Sequence, residues 1–240
     1  MVSKSQIKLI TSLGQKKYRN RHGLFVVEGL KGIEEFIAGG YKLHSLFTLD
    51  GYFNEVDASQ KQIEDKAQLQ KITFLKTAPE AIAVFYIPQG EVAQKPGLKV
   101  VLDDVRDPGN LGTIIRLCDW FGVKQLICSE QTVDCYNPKV VQATMGSLAR
   151  VDLAYAKIDD YLKNATATKY GAFMEGENVY DHDLETEAIL VMGNEANGIS
   201  SEIESLIDQK ISIPRFSEKT ESLNVASATA ILLSEFKRRG

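Results

Sequence analysis

The sequence predicts an α/β protein in two parts, a C-terminal domain on a mostly parallel sheet and a smaller N-terminal α/β domain. Three observations carry that expectation. From Leu98 onward, strand-like runs alternate with stretches of helical spacing, as strands joined by crossover helices do. Runs such as "VVL" and "AILVM" are apolar without alternation, as expected when helices cover both faces of a sheet. The segment "PQGEVAQKPG" breaks the pattern with two prolines and two glycines, which divides the chain into residues 1–90 and 98–240.

In the first part, "SQIKLITSL" sets Ile7, Leu9, Ile10 and Leu13 at helical spacing. "LFVVEG" is a short strand, and "LKGIEEFIAGG" a helix closed by Gly39 and Gly40, as helix ends favour. "KLHSLFTLD" is a second strand, "SQKQIEDKAQLQ" a polar helix and "ITFLK" a third strand. "AIAVFYI" is a fourth strand or a buried apolar run. In the second part the strands are "KVVLDD", "QLICS", "VDLAYA", "YGAFMEG", "AILVMG" and "KISIP". Between them lie the helices "NLGTIIRLCDWFG", "PKVVQATMGSLAR", "IDDYLKNAT" and "SSEIESLID". The last helix, "NVASATAILLSEFKRR", ends on basic residues that suit the negative end of its dipole.

Composition narrows the class. The 240 residues, 44% hydrophobic and 25% charged, match an ordinary soluble globular chain. No apolar run approaches the ~18 residues of a membrane span. "MVSKSQIKLITSLG" has no continuous apolar core followed by a cleavage site, so a cytoplasmic location is expected. Cys118, Cys128 and Cys135 are too few and too irregular for a disulfide framework, and the first two fall in apolar patterns that suit small core residues. His22, His44 and His182 are scattered, and "YDHDLE" around His182 suits a solvated loop better than a metal site, so no metal is expected. The net charge of −4 is unevenly spread: Met1 to Leu24 holds six Lys or Arg and no acid. The dense part, "GQKKYRNRHG", suits either an anionic partner such as nucleic acid or a solvated helix end and loop.

Ligands of parallel sheets sit beyond the carboxyl ends of the strands, and three loops there are polar. "DDVRDPGNLG" has a Pro108-Gly109 turn, with Asn110 where a helix N-cap would be. Arg116 follows one turn after Gly112, the only charge in an apolar stretch of helix. "MGNEANGIS" carries two glycines, two asparagines and Glu195, with Ser200 as a cap for the next helix. "IPRFSEKTESLNVASA" is long beside the ~2–6 residues usual for such connections, and offers Glu221, Ser222 and Asn224 before the last helix. One cap needs fewer polar groups than that. The loops contain no G-x-x-x-x-G-K-[ST] and the first has no G-x-G-x-x-G, which argues against a P-loop and against a nicotinamide enzyme. No histidine lies near them, so a Ser-His-Asp triad is not expected. Amides, one Arg, carboxylates and a hydroxyl suit positioning a pre-activated reagent.

In this order, "DPGNLGTIIR", "MGNEANGIS" and "IP…ESLNVASATAILL" resemble the three motifs of the SpoU family of RNA ribose 2'-O-methyltransferases, TrmH-like members of the SPOUT superfamily. The resemblance covers Leu98 to Arg238, and the N-terminal part resembles the RNA substrate-binding domain often joined to these enzymes. It implies S-adenosylmethionine as methyl donor, rRNA or tRNA as substrate, a homodimer and a deep C-terminal trefoil knot, a rarity among chain paths. It implies site roles for Asn110 and Arg116 in the first motif, Glu195 in the second, and Ser222 and Asn224 in the third. Backbone groups around Met192, Gly193, Asn194, Gly198, Ile213, Leu223 and Asn224 would hold the cofactor. It also favours RNA binding by Lys16, Lys17, Arg19 and Arg21. Two positions depart from the family pattern: Gln142 stands where many relatives have arginine, and the loop after Ile213-Pro214 lacks the usual glycine and second apolar residue. The alternative is a catalytically inactive RNA-binding protein of the same fold.

Overall fold

The computed structural model describes residues 1–89, 95–217 and 222–238. In chain order the first elements are α1 (Lys4–Ser12), α2 (Lys16–His22), β1 (Leu24–Glu28), α3 (Leu30–Ala38), β2 (Leu43–Thr48), β3 (Lys61–Ile63), α4 (Lys66–Leu69) and β4 (Ala81–Tyr86). Then follow β5 (Lys99–Leu102), α5 (Pro108–Trp120), β6 (Gln125–Ser129), α6 (Pro138–Thr144), a 3-10 turn (Ser147–Ala149), β7 (Asp152–Ala156) and α7 (Ile158–Asn164). The chain ends with β8 (Thr168–Asn178), β9 (Ala188–Met192), α8 (Ser201–Glu204), β10 (Gln209–Ser212) and α9 (Val225–Arg238).

The chain forms two compact units, Met1–Gly90 with Asp134–Ala149, and Glu91–Val133 with Arg150–Gly240. The first holds a four-stranded sheet in the order β1-β4-β2-β3. β4 runs antiparallel to both neighbours, and β3 adds to β2 in parallel. β1 is buried on both faces. On one face Phe25 meets Phe36 at 5.3 Å and Tyr136 at 4.6 Å between ring centroids. On the other, Leu24, Val26, Ile82 and Val84 join Ile10, Leu13, Leu69 and Ile72 in one buried cluster. Entry to α1 is fixed by a capping box, in which Gln6 N–H donates to Ser3 Oγ (3.2 Å) and Ser3 N–H to Gln6 Oε1 (2.8 Å).

Two expectations fail in this unit. The polar stretch 59–70 is not one helix but β3 followed by the short α4, which Asp65 caps by accepting from Gln68 N–H at 2.8 Å. β3 wins because β2 offers it an edge, Leu46 pairing with Lys61. "ITFLK" forms no strand: Ile72 is core, and the next turn is tied to the Glu28 carboxylate, which accepts from Thr73 Oγ1 (2.8 Å) and Phe74 N–H (2.6 Å). Tertiary partners override strand propensity there.

The second unit holds six strands in the order β10-β8-β9-β5-β6-β7, all paired in parallel. β6 and β9 are buried along their whole length. The unbroken apolar pattern therefore does mark strands covered on both faces. The β6–β7 connection contributes residues 134–149 to the first unit, where Tyr136 meets Phe25 and Tyr41 Oη donates to Leu148 O at 3.4 Å. "PKVVQATMGSLAR" is accordingly α6, a left-handed Met145 (φ +49°) and the 3-10 turn, with Gln142 exposed on α6.

Candidate active site

β9 lies between β5 and β8, and β10 beside β8, so parallel pairing brings the carboxyl ends of β5, β9 and β10 to one edge of the sheet. The three polar loops leave from that edge. The first turns at Asp104, a non-glycine residue with φ +60°. Its carboxylate pairs with Arg106 through two contacts of 2.8 Å, and this pair raises the Arg106 pKa. The N-cap of α5 is Asp107, not Asn110: Asp107 Oδ1 accepts from Asn110 N–H at 2.8 Å and Pro108 opens the helix. Asn110 therefore sits inside the first turn, with its side chain free of capping duty.

That side chain joins the three loops. Asn110 Nδ2 donates to Glu195 Oε1 at 2.9 Å, and Asn224 Nδ2 donates to Asn110 Oδ1 at 2.9 Å. Asn224 in turn starts α9, its Oδ1 accepting from Ala226 N–H (2.9 Å) and Ser227 N–H (3.2 Å). The middle loop is held rigidly. Asn194 and Gly198 exchange two backbone hydrogen bonds of 2.9 Å, and Asn194 Nδ2 donates to Asp104 O at 2.6 Å. Buried Asp103, which the sequence did not single out, accepts from Ser200 N–H at 2.8 Å. Its only trace in the sequence is a carboxylate directly after an apolar strand. Gly193 must be glycine, because a Cβ there would lie 2.2 Å from the backbone of Gly198.

Beside these loops is a cavity of about 1090 Å³, larger than the ~300–1,000 Å³ of typical small-molecule sites. Met192, Gly193, Asn194, Gly198, Ile213 and Leu223 line it, as do Glu195 and Ser222. Apolar Ile213, Leu223 and Leu232 can flank a planar base, while Asn194, Glu195 and Ser222 offer polar groups, a donor set that fits an adenosine-bearing cofactor. A further wall comes from β8. Its pairing with β10 jumps from Gly171↔Lys210 to Glu177↔Ile211, and Ala172 to Glu175, in the excursion between, line the cavity. Nothing in the residue pattern marks this wall, since strand residues are not set apart as loop residues are.

Other candidates are placed apart. Asn110, Asn224 and Arg116 are not among the cavity-lining residues. Arg116 is exposed on α5 and makes no hydrogen bond or ion pair with the described residues, and Glu195 and Asn224 bond to Asn110. Glu221 lies outside the described residues. In the first unit Lys16, Lys17 and Arg21 are exposed on α2, but Arg19 is 1% exposed. Its guanidinium donates to Asp134 Oδ2 through Nε (2.8 Å) and Nη2 (2.5 Å) and to Leu13 O through Nη1 (2.8 Å). Arg19 anchors the helix, and its charge faces inward rather than toward a polyanion. The described residues contain no cluster of three or more His, Cys, Asp or Glu suited to a metal ion.

The model of the SpoU rRNA Methylase family matches residues 97–234, and that of an MRM3-like substrate binding domain matches residues 4–93. The chain is 27% identical over 228 residues to the 23S rRNA (guanosine(2553)-2'-O)-methyltransferase RlmP of Bacillus subtilis, covering 92% of this chain and 91% of that one. Among solved structures, a TrmH-family protein from Porphyromonas gingivalis superposes with a TM-score of 0.93 at 38% identity over 100% of both chains. An AdoMet-bound rRNA methyltransferase from Sinorhizobium meliloti superposes with a TM-score of 0.88 at 28% identity, over 99% of this chain and 97% of that one.

Proposed function

This chain belongs to the SpoU rRNA methylase family, and from that premise we propose that it methylates a ribose 2'-hydroxyl of RNA, with S-adenosylmethionine as donor. The observation that carries the proposal is the hydrogen-bonded line Asn224–Asn110–Glu195. It ties together the three loops that resemble the family motifs, and Glu195 at its end lines the large cavity. Ribosomal RNA is the favoured substrate, since the relative from Bacillus subtilis acts on 23S rRNA.

When bound, the cofactor supplies a methyl group already activated by a sulfonium, so the protein's work is positioning. Proximity and orientation are worth about 7–11 kcal/mol of barrier. Met192, Gly193, Asn194, Gly198, Ile213 and Leu223 would hold the adenosine end. Glu195, fixed by Asn110, and Ser222 would orient the ribose. Arg116 presents a planar guanidinium whose N–H donors form a fixed fork. Its role on this reading is to stabilise the alkoxide developing at the 2'-oxygen, while a phosphate or water takes the proton. As Arg116 is exposed on the same helix as Trp120, itself 84% exposed, a second copy of the chain covering α5 would bring that arginine into a closed site. The family's homodimer and trefoil knot complete this picture, in the cytoplasm. No helix of the described residues is long and apolar enough to cross a membrane.

The test has two parts: titration calorimetry with S-adenosylmethionine, and mapping of 2'-O-methyl sites in ribosomal RNA from cells with and without the protein. Saturable binding and the loss of one site are expected. RNA binding without cofactor binding would instead identify an inactive RNA-binding member of the fold.

A further inference from the structure

The basic helix α2 supplies charge for RNA, and its own tyrosine, Tyr18, is half-buried beneath Lys17. We infer that Tyr86, framed by Lys42 and His44, is a stacking platform for an unpaired RNA base, continuous with α2. The inference rests on the RNA reading above.

Tyr86 is the last residue of β4 and is 38% exposed. Alternation along β4 sends Phe85 into the aromatic cluster with Phe25 and Phe36, and Tyr86 to the opposite face. On that face the buried cluster contains Leu24, Ile82 and Val84, so the ring stands at the rim of a core rather than within it. Lys42 Nζ lies 5.1 Å from the ring centroid. The His44 ring meets it edge-on at 5.5 Å and 64°, steadied by a 3.0 Å contact between His44 Nδ1 and Ser45 Oγ. Burial holds the His44 pKa below its ordinary value, so the positive charge at the ring comes from Lys42.

The backbone fixes this group next to α2. Tyr86 N–H donates to Lys42 O at 2.9 Å, Tyr86 pairs in register with Leu24, and Ile87 N–H donates to Gly23 O at 2.8 Å. The sheet end that carries Tyr86 is thus the end into which α2 delivers the chain, with Arg21 and His22 exposed just upstream. Neither β2 nor β4 contains an acidic residue to repel a phosphate. A fixed aromatic plane beside flexible cations is the chemistry of single-strand binding: the base stacks on the ring and the cations meet the backbone. A duplex keeps its bases stacked on one another, so the ligand class is unpaired RNA, as in a loop or bulge.

The experiment uses the full chain and a short unstructured RNA carrying one 2-aminopurine, alone and annealed to its complement. The wild type should prefer the single strand and quench the fluorophore as it stacks. Tyr86→Leu should weaken single-strand binding about 10-fold with its salt dependence unchanged, and Tyr86→Phe should stay within about two-fold. Lys42→Gln should lower the slope of log affinity against log salt by about 0.7. Thermal unfolding of each variant separates lost fold from lost stacking, and the phenylalanine variant keeps the test open should leucine unfold the sheet. Wild-type affinity in a folded Tyr86→Leu variant overturns the platform, as does equal binding of duplex and single strand without quenching. Cofactor binding and RNA methylation by the wild type stand or fall separately from these outcomes.

Discussion

Asn110 shows how one side chain's duty depends on its neighbours. A Pro-Gly turn followed by Asn before an apolar helix suggests a cap, yet Asp107 takes that place and releases Asn110 to bridge Glu195 and Asn224. Removing it should disconnect the loops without unfolding the protein, because exposed hydrogen bonds contribute only about 0.5–1.5 kcal/mol each. Asn110→Ala is therefore expected to lower single-turnover methyl transfer by roughly 10–100-fold while stability falls by about 1 kcal/mol. Arg116→Lys should lose at least about 100-fold, as expected when a donor to a developing oxyanion is displaced. An undiminished rate for Arg116→Lys at neutral pH would remove Arg116 from the chemistry altogether. Cys118 and Cys128 behave as the apolar patterns around them suggest: both are buried and outside any disulfide, as is Cys135, and burial pushes the Cys118 thiol up to about 12. Such a thiol is a core residue with no nucleophilic role at neutral pH.

Elements were legible where the pattern was uninterrupted. The central strands β5, β6 and β9 fall on apolar runs recognisable in the chain, because a strand covered on both faces has no solvent side to blur it. The edge of the smaller sheet was not legible, since β3 is a three-residue strand whose existence depends on β2 beside it. α2 was read as a polyelectrolyte patch, but one of its four central cations is a buried anchor. Arg19 and Asp134 lie 115 residues apart, beyond the reach of any local pattern. Breaking a buried pair from one side costs about 3–5 kcal/mol, whereas replacing both partners by apolar groups can be nearly neutral. Asp134→Ala should thus lower the free energy of urea unfolding by about 3 kcal/mol, and the double change Arg19→Met with Asp134→Leu should recover most of it. A single variant within about 1 kcal/mol of the wild type would show that the pair does not hold α2 in place.

For the whole molecule, a net charge of −4 describes a protein unsuited to RNA, while its distribution describes the opposite. Neutralising Lys16, Lys17 and Arg21 together, with Arg19 left in the core, should reduce the slope of log affinity against log salt by about 2 for a single-stranded RNA. An unchanged slope in a filter-binding series would assign those cations to solvent. The sequence by itself determined the α/β class, the three loops and the family they resemble, because periodicity and motif order are local properties of the chain. Only the tertiary structure decided which polar side chains touch. It freed Asn110 from the helix cap and joined it to Glu195 and Asn224, turned Arg19 inward, brought residues 134–149 to the first unit, and made part of β8 a wall of the cavity. Each of those outcomes depends on partners distant in the chain, whose pairing is set by the packing of sheets and helices and leaves no mark in the spacing of residues.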